Sequence, residues 1–224
     1  MMQSEDGQAM VEAALVLPAA VFLILLTLQL TQLQRARILA DYAAFAAART
    51  GIVFSGDPAK MQEAATVAVL PGFGRTDSIE AIGATLLRFK AEDAALRPLG
   101  LEQLRVFVHN PVAPDFAAFG QHLAGQEIDF DDVRPATAEA ALLSLQIRYL
   151  YELRVPFANK LLQTLWIASK AFRGGAARVD DGTPEGVPLG ALAAAGRAGR
   201  FYLPVEAFYT MRMQSNPFLR WARP

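Results

Sequence analysis

Residues 7–34 read GQAMVEAALVLPAAVFLILLTLQLTQLQ, and this stretch decides the architecture of the chain. Between Ala13 and Gln34 there is no charged side chain. Because a helix rises about 1.5 Å per residue, a run of this length crosses a hydrocarbon core of roughly 30 Å. The sequence therefore predicts a transmembrane helix close to the N-terminus.

Glu12 stands at the start of this apolar run, five positions after Gly7. A carboxylate at the edge of a membrane is costly unless a partner neutralises it, so Glu12 is a candidate functional residue. A cut after Gly7 would supply that partner, because the freed α-amino group of Gln8 is cationic. The alternative interpretation is that Glu12 is an ordinary interfacial carboxylate and Gly7 a turn residue of the leader.

Pro18 lies inside the predicted helix and removes the backbone hydrogen bond to the carbonyl of Ala14. This loss predicts a kink or a loosened turn at Pro18. Membrane helices often tolerate such prolines, since neighbouring groups satisfy the backbone that is released. Local unwinding would also help helices to pack in a fibre or bundle, and both interpretations stay open.

The composition fits one membrane anchor and one folded domain in a chain of 224 residues. Hydrophobic residues make up 53%, and the predicted anchor helps to explain that share. The net charge of −1 gives no electrostatic reason to expect nucleic acid as a partner. The chain contains no cysteine, which excludes disulfides and thiolate metal sites.

A conventional secretory signal fits the N-terminus poorly. The first seven residues contain no Lys or Arg, and small-residue cleavage sites lie well beyond the apolar run. Arg35 and Arg37 follow the run, which by the positive-inside rule would place the large domain in the cytoplasm. We nevertheless expect an exported domain, because large domains translocate largely regardless of flanking charge.

Periodicity predicts an α+β fold. A first helix of about 70 Å is expected from Gln8 to Phe54, with an alanine-rich second half. Further helices are expected after the capping residue Asp57, after Asp77 or Ser78 as the cap of a helix over 78–96, and over 157–172 and 189–198. Alternation of apolar and polar residues predicts strands over 104–108, 143–155 and 201–213. The strand over 143–155 should have one buried and one mostly wet face. The architecture is thus a long N-terminal transmembrane and amphipathic helix, then a helix-rich domain with a small antiparallel sheet.

Candidate catalytic and metal-binding residues are few. The two histidines, His109 and His122, lack the spacing of a metal-binding helix. The acidic run 127–132 lacks the glycine and the alternation of a calcium loop. We therefore expect no catalytic residue, no metal and no cofactor, and we interpret the chain as the substrate of an enzyme.

The chain resembles the TadE-like family of minor pilins (pseudopilins), which belong to tight-adherence (Tad), or Flp, type IV pilus systems. The likeness is carried by residues 7–18, the alanine-rich exit 46–49, the strand 146–155 running into Pro156, and residues 211–215. In type IV pilin-like proteins, a prepilin peptidase cuts after the glycine of a short leader, and the fifth mature residue is glutamate. The resemblance thus implies cleavage after Gly7 and pairing of Glu12 with the Gln8 amino terminus of a neighbouring subunit. Pilin leaders usually carry a Lys or Arg, so this leader departs from the pattern.

The resemblance implies three segments: a leader over 1–7, a transmembrane and extended helix over 8–54, and an exported α+β domain over 55–224. The partners implied are a prepilin peptidase, other Tad minor pilins, inner-membrane platform proteins and membrane lipid, with the major Flp pilin as a further candidate. The implied location is the bacterial inner membrane, as a single-pass protein with its C-terminal domain in the periplasm, or a surface pilus.

The implied roles are pilus assembly, initiation or tip formation, and hence adhesion and biofilm formation. An alternative of a different class is an unprocessed single-pass membrane protein whose exported domain binds a ligand or a protein. The N-terminal residue of the membrane form discriminates the two, because only the first hypothesis requires it to be Gln8.

Overall fold

The computed structural model describes residues 3–120, 127–174, 178–179 and 186–222. Its helices are α1 (Gln3–Val53), α2 (Pro58–Val69), α3 (Ile79–Leu96), α4 (Ala113–Phe119), α5 (Pro135–Ala140), α6 (Ala158–Gly174) and α7 (Leu189–Arg197). Its strands are β1 (Leu104–Asn110), β2 (Leu142–Glu152), β3 (Arg178–Val179), β4 (Val187–Pro188) and β5 (Tyr202–Arg212). The predicted α+β class is confirmed, with its long N-terminal helix and its small antiparallel sheet.

Strands β1, β2 and β5 form one antiparallel sheet with β2 in the centre. β2 pairs with β5 along its whole length, from Leu142 opposite Arg212 to Glu152 opposite Tyr202. β1 pairs with the other edge of β2. Strands β3 and β4 form a separate short ladder. The central strand is thus the one whose alternation is clearest in the sequence.

Small side chains on the second half of α1 pack against this sheet. Six alanines on that half are at most 2% exposed: Ala36, Ala40, Ala43, Ala44, Ala47 and Ala48. They share one core with the inward-facing residues of β2 and with α2. The larger Ile38 and Tyr42 are instead 67% and 56% exposed. Alanine suits this face because it favours helix and lets the backbone of α1 come close to the sheet.

Gly51 marks a very close approach between α1 and its neighbours. A methyl group at this position would lie 2.5 Å from Cδ2 of Leu143 and 2.5 Å from Sδ of Met61. Contacts this short require the two side chains to move. Glycine at position 51 therefore lets the end of α1 lie between β2 and α2.

The outer face of β2 is less exposed than its alternation predicts. Gln146, Arg148 and Leu150 on that face are all buried. Leu150 belongs to a second core with residues of α7, β4 and β5, and Arg148 donates a 2.8 Å hydrogen bond to the carbonyl of Gly186. The prediction of a mostly wet face was therefore wrong, because elements distant in sequence cover it.

β2 ends at Glu152, three residues before the end of the predicted strand. Beyond it, the N–H of Leu153 donates to the carbonyl of Phe201 at 2.7 Å. The N–H of Val155 donates at 2.8 Å to the side-chain carbonyl of Gln29 in α1. The backbone thus leaves the regular ladder and bonds to the long helix.

The C-terminal segment covers the domain end of α1. The hydroxyl of Ser215 donates to the carbonyl of Ile52 at 2.9 Å and accepts from the N–H of Ser55 at 3.0 Å. The N–H of Gln214 donates to the same carbonyl at 3.1 Å. Since the last carbonyls of a helix lack intrahelical partners, these bonds satisfy the end of α1.

Candidate functional site

The first half of α1 projects from the folded domain as an apolar arm, which we define as residues 10–28. Among the described residues, α1 is the one helix that is long and apolar enough to cross a membrane. Its most apolar stretch of 18 residues is not buried by the rest of the chain. Leu15, Val16 and Leu17 are consecutive, and all three are more than half exposed. Consecutive residues point in different directions around a helix, so the arm is apolar on all sides. Such a surface suits lipid or a bundle of similar helices.

The predicted processing and charge-pair residues lie at the start of α1. The backbone is helical from Gln3, so Gly7 and Gln8 lie within continuous helix. Glu12 is exposed and follows Gln8 by four residues in the sequence. Gln29 is the first buried side chain after Met10, and it lies about 25 Å along the axis from Glu12. The folded domain therefore leaves the Glu12 side chain uncovered.

Pro18 lies within α1, and the helix runs through it without interruption. Pro18 and the neighbouring Leu17 and Val21 face the first turn of α6 across an open groove. The predicted kink at Pro18 stays a prediction.

Two glutamines fasten the arm to the folded domain. Fully buried Gln29 accepts the hydrogen bond from Val155, and Gln32 accepts a 3.2 Å bond from the hydroxyl of Tyr151. Burial raises the pKa of Tyr151, so its hydroxyl remains protonated and able to donate at neutral pH. Sequence reasoning missed this pair of anchors. The available signal was the presence of amide side chains near the end of the uncharged run.

Thr27 and Thr31 of α1 are satisfied within the helix. The hydroxyl of Thr27 donates to the carbonyl of Leu23 at 2.9 Å, and that of Thr31 donates to the carbonyl of Thr27 at 2.9 Å. Hydrogen bonds of this local type satisfy hydroxyl groups without water. The two threonines are therefore compatible with a lipid environment.

The other residues considered in the sequence show structural contacts. Nε2 of His109 lies 2.9 Å from Oε1 of Gln146, whereas His122 lies outside the described residues. In the acidic run, the side chain of Arg134 holds the pKa of the Asp132 carboxyl well below its usual range. Within the described ranges, no group of three or more His, Asp or Glu side chains is arranged to hold a metal ion.

A family model described as TadE-like protein matches residues 7–49. These residues comprise the apolar arm and most of the alanine face of α1, and the resemblance stated from the sequence is confirmed over them. No curated protein and no solved structure gives a significant match. Together, the family match and the apolar helix fit a membrane protein associated with a Tad pilus.

Proposed function

We propose, from the premise that residues 7–49 are TadE-like, that this chain is a minor pilin (pseudopilin) of a Tad (Flp) type IV pilus. A prepilin peptidase cuts after Gly7, and the mature protein begins at Gln8. The mature protein acts in pilus assembly, initiation or tip formation, and hence in adhesion. The observation that carries this proposal is the exposed apolar arm of α1 with the exposed Glu12 at its start.

The physical role of the cut is to create a cation inside the membrane. The new ammonium group of Gln8 pairs with the Glu12 carboxylate of a neighbouring subunit among apolar helices. A charge left unpaired in such surroundings costs several kcal/mol, so the pair sets the axial register of assembly. The exposure of Glu12 supports this role, because a neighbour can reach the carboxylate without displacing part of the domain.

The cut also requires α1 to open locally, since the backbone at Gly7 and Gln8 is helical in the unprocessed chain. A peptidase needs an extended scissile segment. Glycine lowers helix stability by about 1 kcal/mol relative to alanine, which helps the leader to unwind. Gly7 thus serves the reaction through its backbone.

The folded part of the chain indicates a minor component. The major Flp pilin is very short, whereas this chain carries residues 55–224 beyond its long helix. The partners are the prepilin peptidase, other minor pilins, the major pilin at the point of contact with the fibre, and inner-membrane platform proteins. The protein is structural and acts as the substrate of the peptidase.

The domain lies in the periplasm in this proposal, with α1 as a single pass through the inner membrane. Arg35 and Arg37 are exposed on α1 beyond the apolar run, where the positive-inside rule would favour the cytoplasm. A large folded domain translocates largely regardless of such flanking charge. Periplasmic labelling of a surface cysteine introduced at Ile79, which is 87% exposed, reports the orientation directly.

The central experiment is mass spectrometry of the full chain purified from membranes of cells that express the whole pilus system. The expected N-terminal residue is Gln8. Gly7→Leu should leave the leader attached, whereas the control Ser4→Leu, within the leader, should be processed. Recovery of an intact N-terminus from piliated cells would contradict the proposal and favour an unprocessed single-pass protein whose domain binds a ligand or another protein.

A second experiment isolates the charge pair. Glu12→Ala should insert in the membrane and be processed, yet abolish surface pili. Glu5→Gln is the matched control, because residue 5 leaves with the leader and its change should not affect pili. Normal piliation of Glu12→Ala would show that the charge pair does not direct assembly.

A further inference from the structure

The start of α6 and the apolar arm of α1 enclose an open groove of about 810 Å³. The α1 wall includes Leu17, Val21 and Leu25, and the wall formed by α6 and the residue before it includes Phe157 and Leu161. Lys160 also lines the groove and brings a cation to it. The groove is therefore mainly apolar and has a positive charge within reach.

An apolar stripe runs along the outer face of α6, which we define as Phe157, Leu161, Leu165 and Phe172. Phe157 is 75% exposed, Leu165 is 57% exposed and Phe172 is 94% exposed. Within α6, spacings of four and eleven residues from Leu161 place Leu165 and Phe172 on the same side of the helix, and Phe157 directly precedes the first residue of α6. The opposite side packs on the domain, where Gln163 is buried and donates to the carbonyl of Leu192 at 3.1 Å. The sequence did not separate these two faces.

Phe157 is held in an unusual backbone conformation. Its φ of 64° lies in the left-handed region, which costs conformational energy for a residue other than glycine. The strain does not bury the ring within the domain, because the side chain remains largely exposed. The ring instead lines the groove beside the arm of α1. This arrangement indicates that the surroundings of Phe157 lie outside the chain.

The position of the groove along α1 indicates that the surroundings of Phe157 are lipid. Met10 and Leu25 are separated by about 22 Å along the axis of α1. The hydrocarbon core of a bilayer is about 30 Å thick, so a helix that enters it near Met10 still has Leu25 inside it. Phe157 and Leu161 lie across the groove from Leu17, Val21 and Leu25 of the arm, and they therefore meet the same lipid layer.

We propose that acyl chains of the bilayer leaflet nearest the domain fill this groove, so that α6 is an interfacial membrane helix that sets the insertion depth of α1. This inference rests on the membrane insertion of α1 in the proposed function. Leu161 and Leu165 face lipid, while the ammonium group of Lys160 reaches the phosphate headgroups along its apolar stem. The domain is then held at the membrane by both α1 and α6, and the second contact limits how far the domain tilts.

Lipid is favoured over a second protein because the groove is continuous with the membrane-spanning surface of α1. A helix from another subunit inside the groove would need to displace lipid there, and in a bilayer only closer packing or hydrogen bonds would compensate for that loss. Lys160 also suits anionic headgroups, which attract basic side chains near the membrane surface. A second copy of the chain in the groove is thus the competing outcome in the test.

The chain has no cysteine, so single-cysteine variants of the full chain accept one nitroxide label each. Labels at Leu161→Cys and Leu165→Cys report the stripe, Leu23→Cys reports the arm, and Ile79→Cys reports water. Each variant is reconstituted in vesicles of phosphatidylcholine and phosphatidylglycerol. Power-saturation electron paramagnetic resonance then compares access of oxygen, which concentrates in lipid, with access of a water-soluble nickel chelate.

We expect the labels at residues 161 and 165 to show oxygen access several-fold above nickel access, as at residue 23 and in contrast to residue 79. Water-like reagent access at residues 161 and 165, together with lipid-like access at residue 23, would overturn this inference and leave the proposed function intact. Exclusion of both reagents from 161 would also overturn it and would place a protein in the groove. Water-like values at residue 23 would overturn the membrane anchor itself, and with it both this inference and the proposed function.

Discussion

The side-chain carbonyl oxygen of Gln29 lies 2.8 Å from the backbone nitrogen of Val155, and the bond between them is buried. It joins the apolar arm of α1 to the backbone that leaves the central strand β2. Since buried polar groups are costly when they lack partners, this bond holds the arm at one position relative to the sheet. The hydrogen bond at Gln29 therefore links α1 to the folded domain.

Gln29→Ala should lower the free energy of unfolding of the domain by about 1–3 kcal/mol, because it leaves the buried N–H of Val155 without its partner. Denaturant unfolding in detergent micelles, followed by circular dichroism, measures the change. Gln34→Ala is the matched control, since Gln34 is an exposed glutamine on the same helix. Equal stabilities for both variants would show that the Gln29 bond does not stabilise the junction.

Ala44→Leu should destabilise the domain by about 1–3 kcal/mol, since Ala44 is fully buried and added atoms overpack the contact with the sheet. Ile38→Ala removes a larger side chain from the same helix, yet it should change stability by less than about 0.5 kcal/mol because Ile38 is 67% exposed. Thermal unfolding of the purified chain compares the two. The reverse order would mean that α1 packs on the sheet through its larger residues.

Ser215→Ala should cost about 1–2 kcal/mol, because it removes the hydroxyl that bonds both the carbonyl of Ile52 and the N–H of Ser55. Amide hydrogen exchange should become faster in the last turn of α1, because the carbonyl of Ile52 loses the hydroxyl of Ser215 as a donor. Ser169→Ala is the control, since its hydroxyl bonds only the carbonyl of Trp166 on the exposed side of α6. Unchanged exchange at residues 52–55 in Ser215→Ala would contradict a capping role.

Alkaline pH should destabilise the domain through its buried tyrosines. Burial raises the pKa of Tyr149 and of Tyr202 well above the usual tyrosine value of about 10. Because the folded state holds both protons more tightly, this contribution is fully present below about pH 10 and is lost as pH rises above it. Denaturant unfolding between about pH 8 and pH 11 should show the decline.

Tyrosine-to-phenylalanine variants test whether Tyr149 and Tyr202 cause the loss of stability at alkaline pH. Tyr202→Phe should flatten the decline without loss of a hydrogen bond, since the buried Tyr202 hydroxyl has no partner among the described residues. Tyr149→Phe should flatten it as well. Tyr42→Phe changes an exposed ring and should keep the wild-type pH dependence. An unchanged profile in the first two variants would assign the alkaline sensitivity to other groups.

Local sequence signals predicted most of the regular elements. Asp57 and Ser78 begin helices as predicted, because each side chain accepts backbone N–H groups of the first helical turn. The strands β2 and β5 were also predicted, with differences of a few residues at their ends. Capping and alternation depend on neighbours in the chain, so they can be interpreted without a tertiary structure.

The candidate site was predicted only in part. The family match covers residues 7–49 and thus the segment that contains Gly7, Gln8 and Glu12. The anchors Gln29 and Gln32 were missed, because their partners Val155 and Tyr151 are more than a hundred residues away. The same holds for α6, whose apolar residues divide between two faces only when the domain is in place.

The sequence by itself determined that the chain has a long apolar N-terminal helix and an α+β domain, because hydrophobic length and periodicity are properties of consecutive residues. Only the tertiary structure decided that buried alanines, and not Ile38 and Tyr42, face the sheet, and that both faces of β2 are covered. Those outcomes depend on contacts between segments that are far apart in the chain. Side-chain volume and hydrogen bonding determine how these segments pack, and neither can be read from the pattern of consecutive residues.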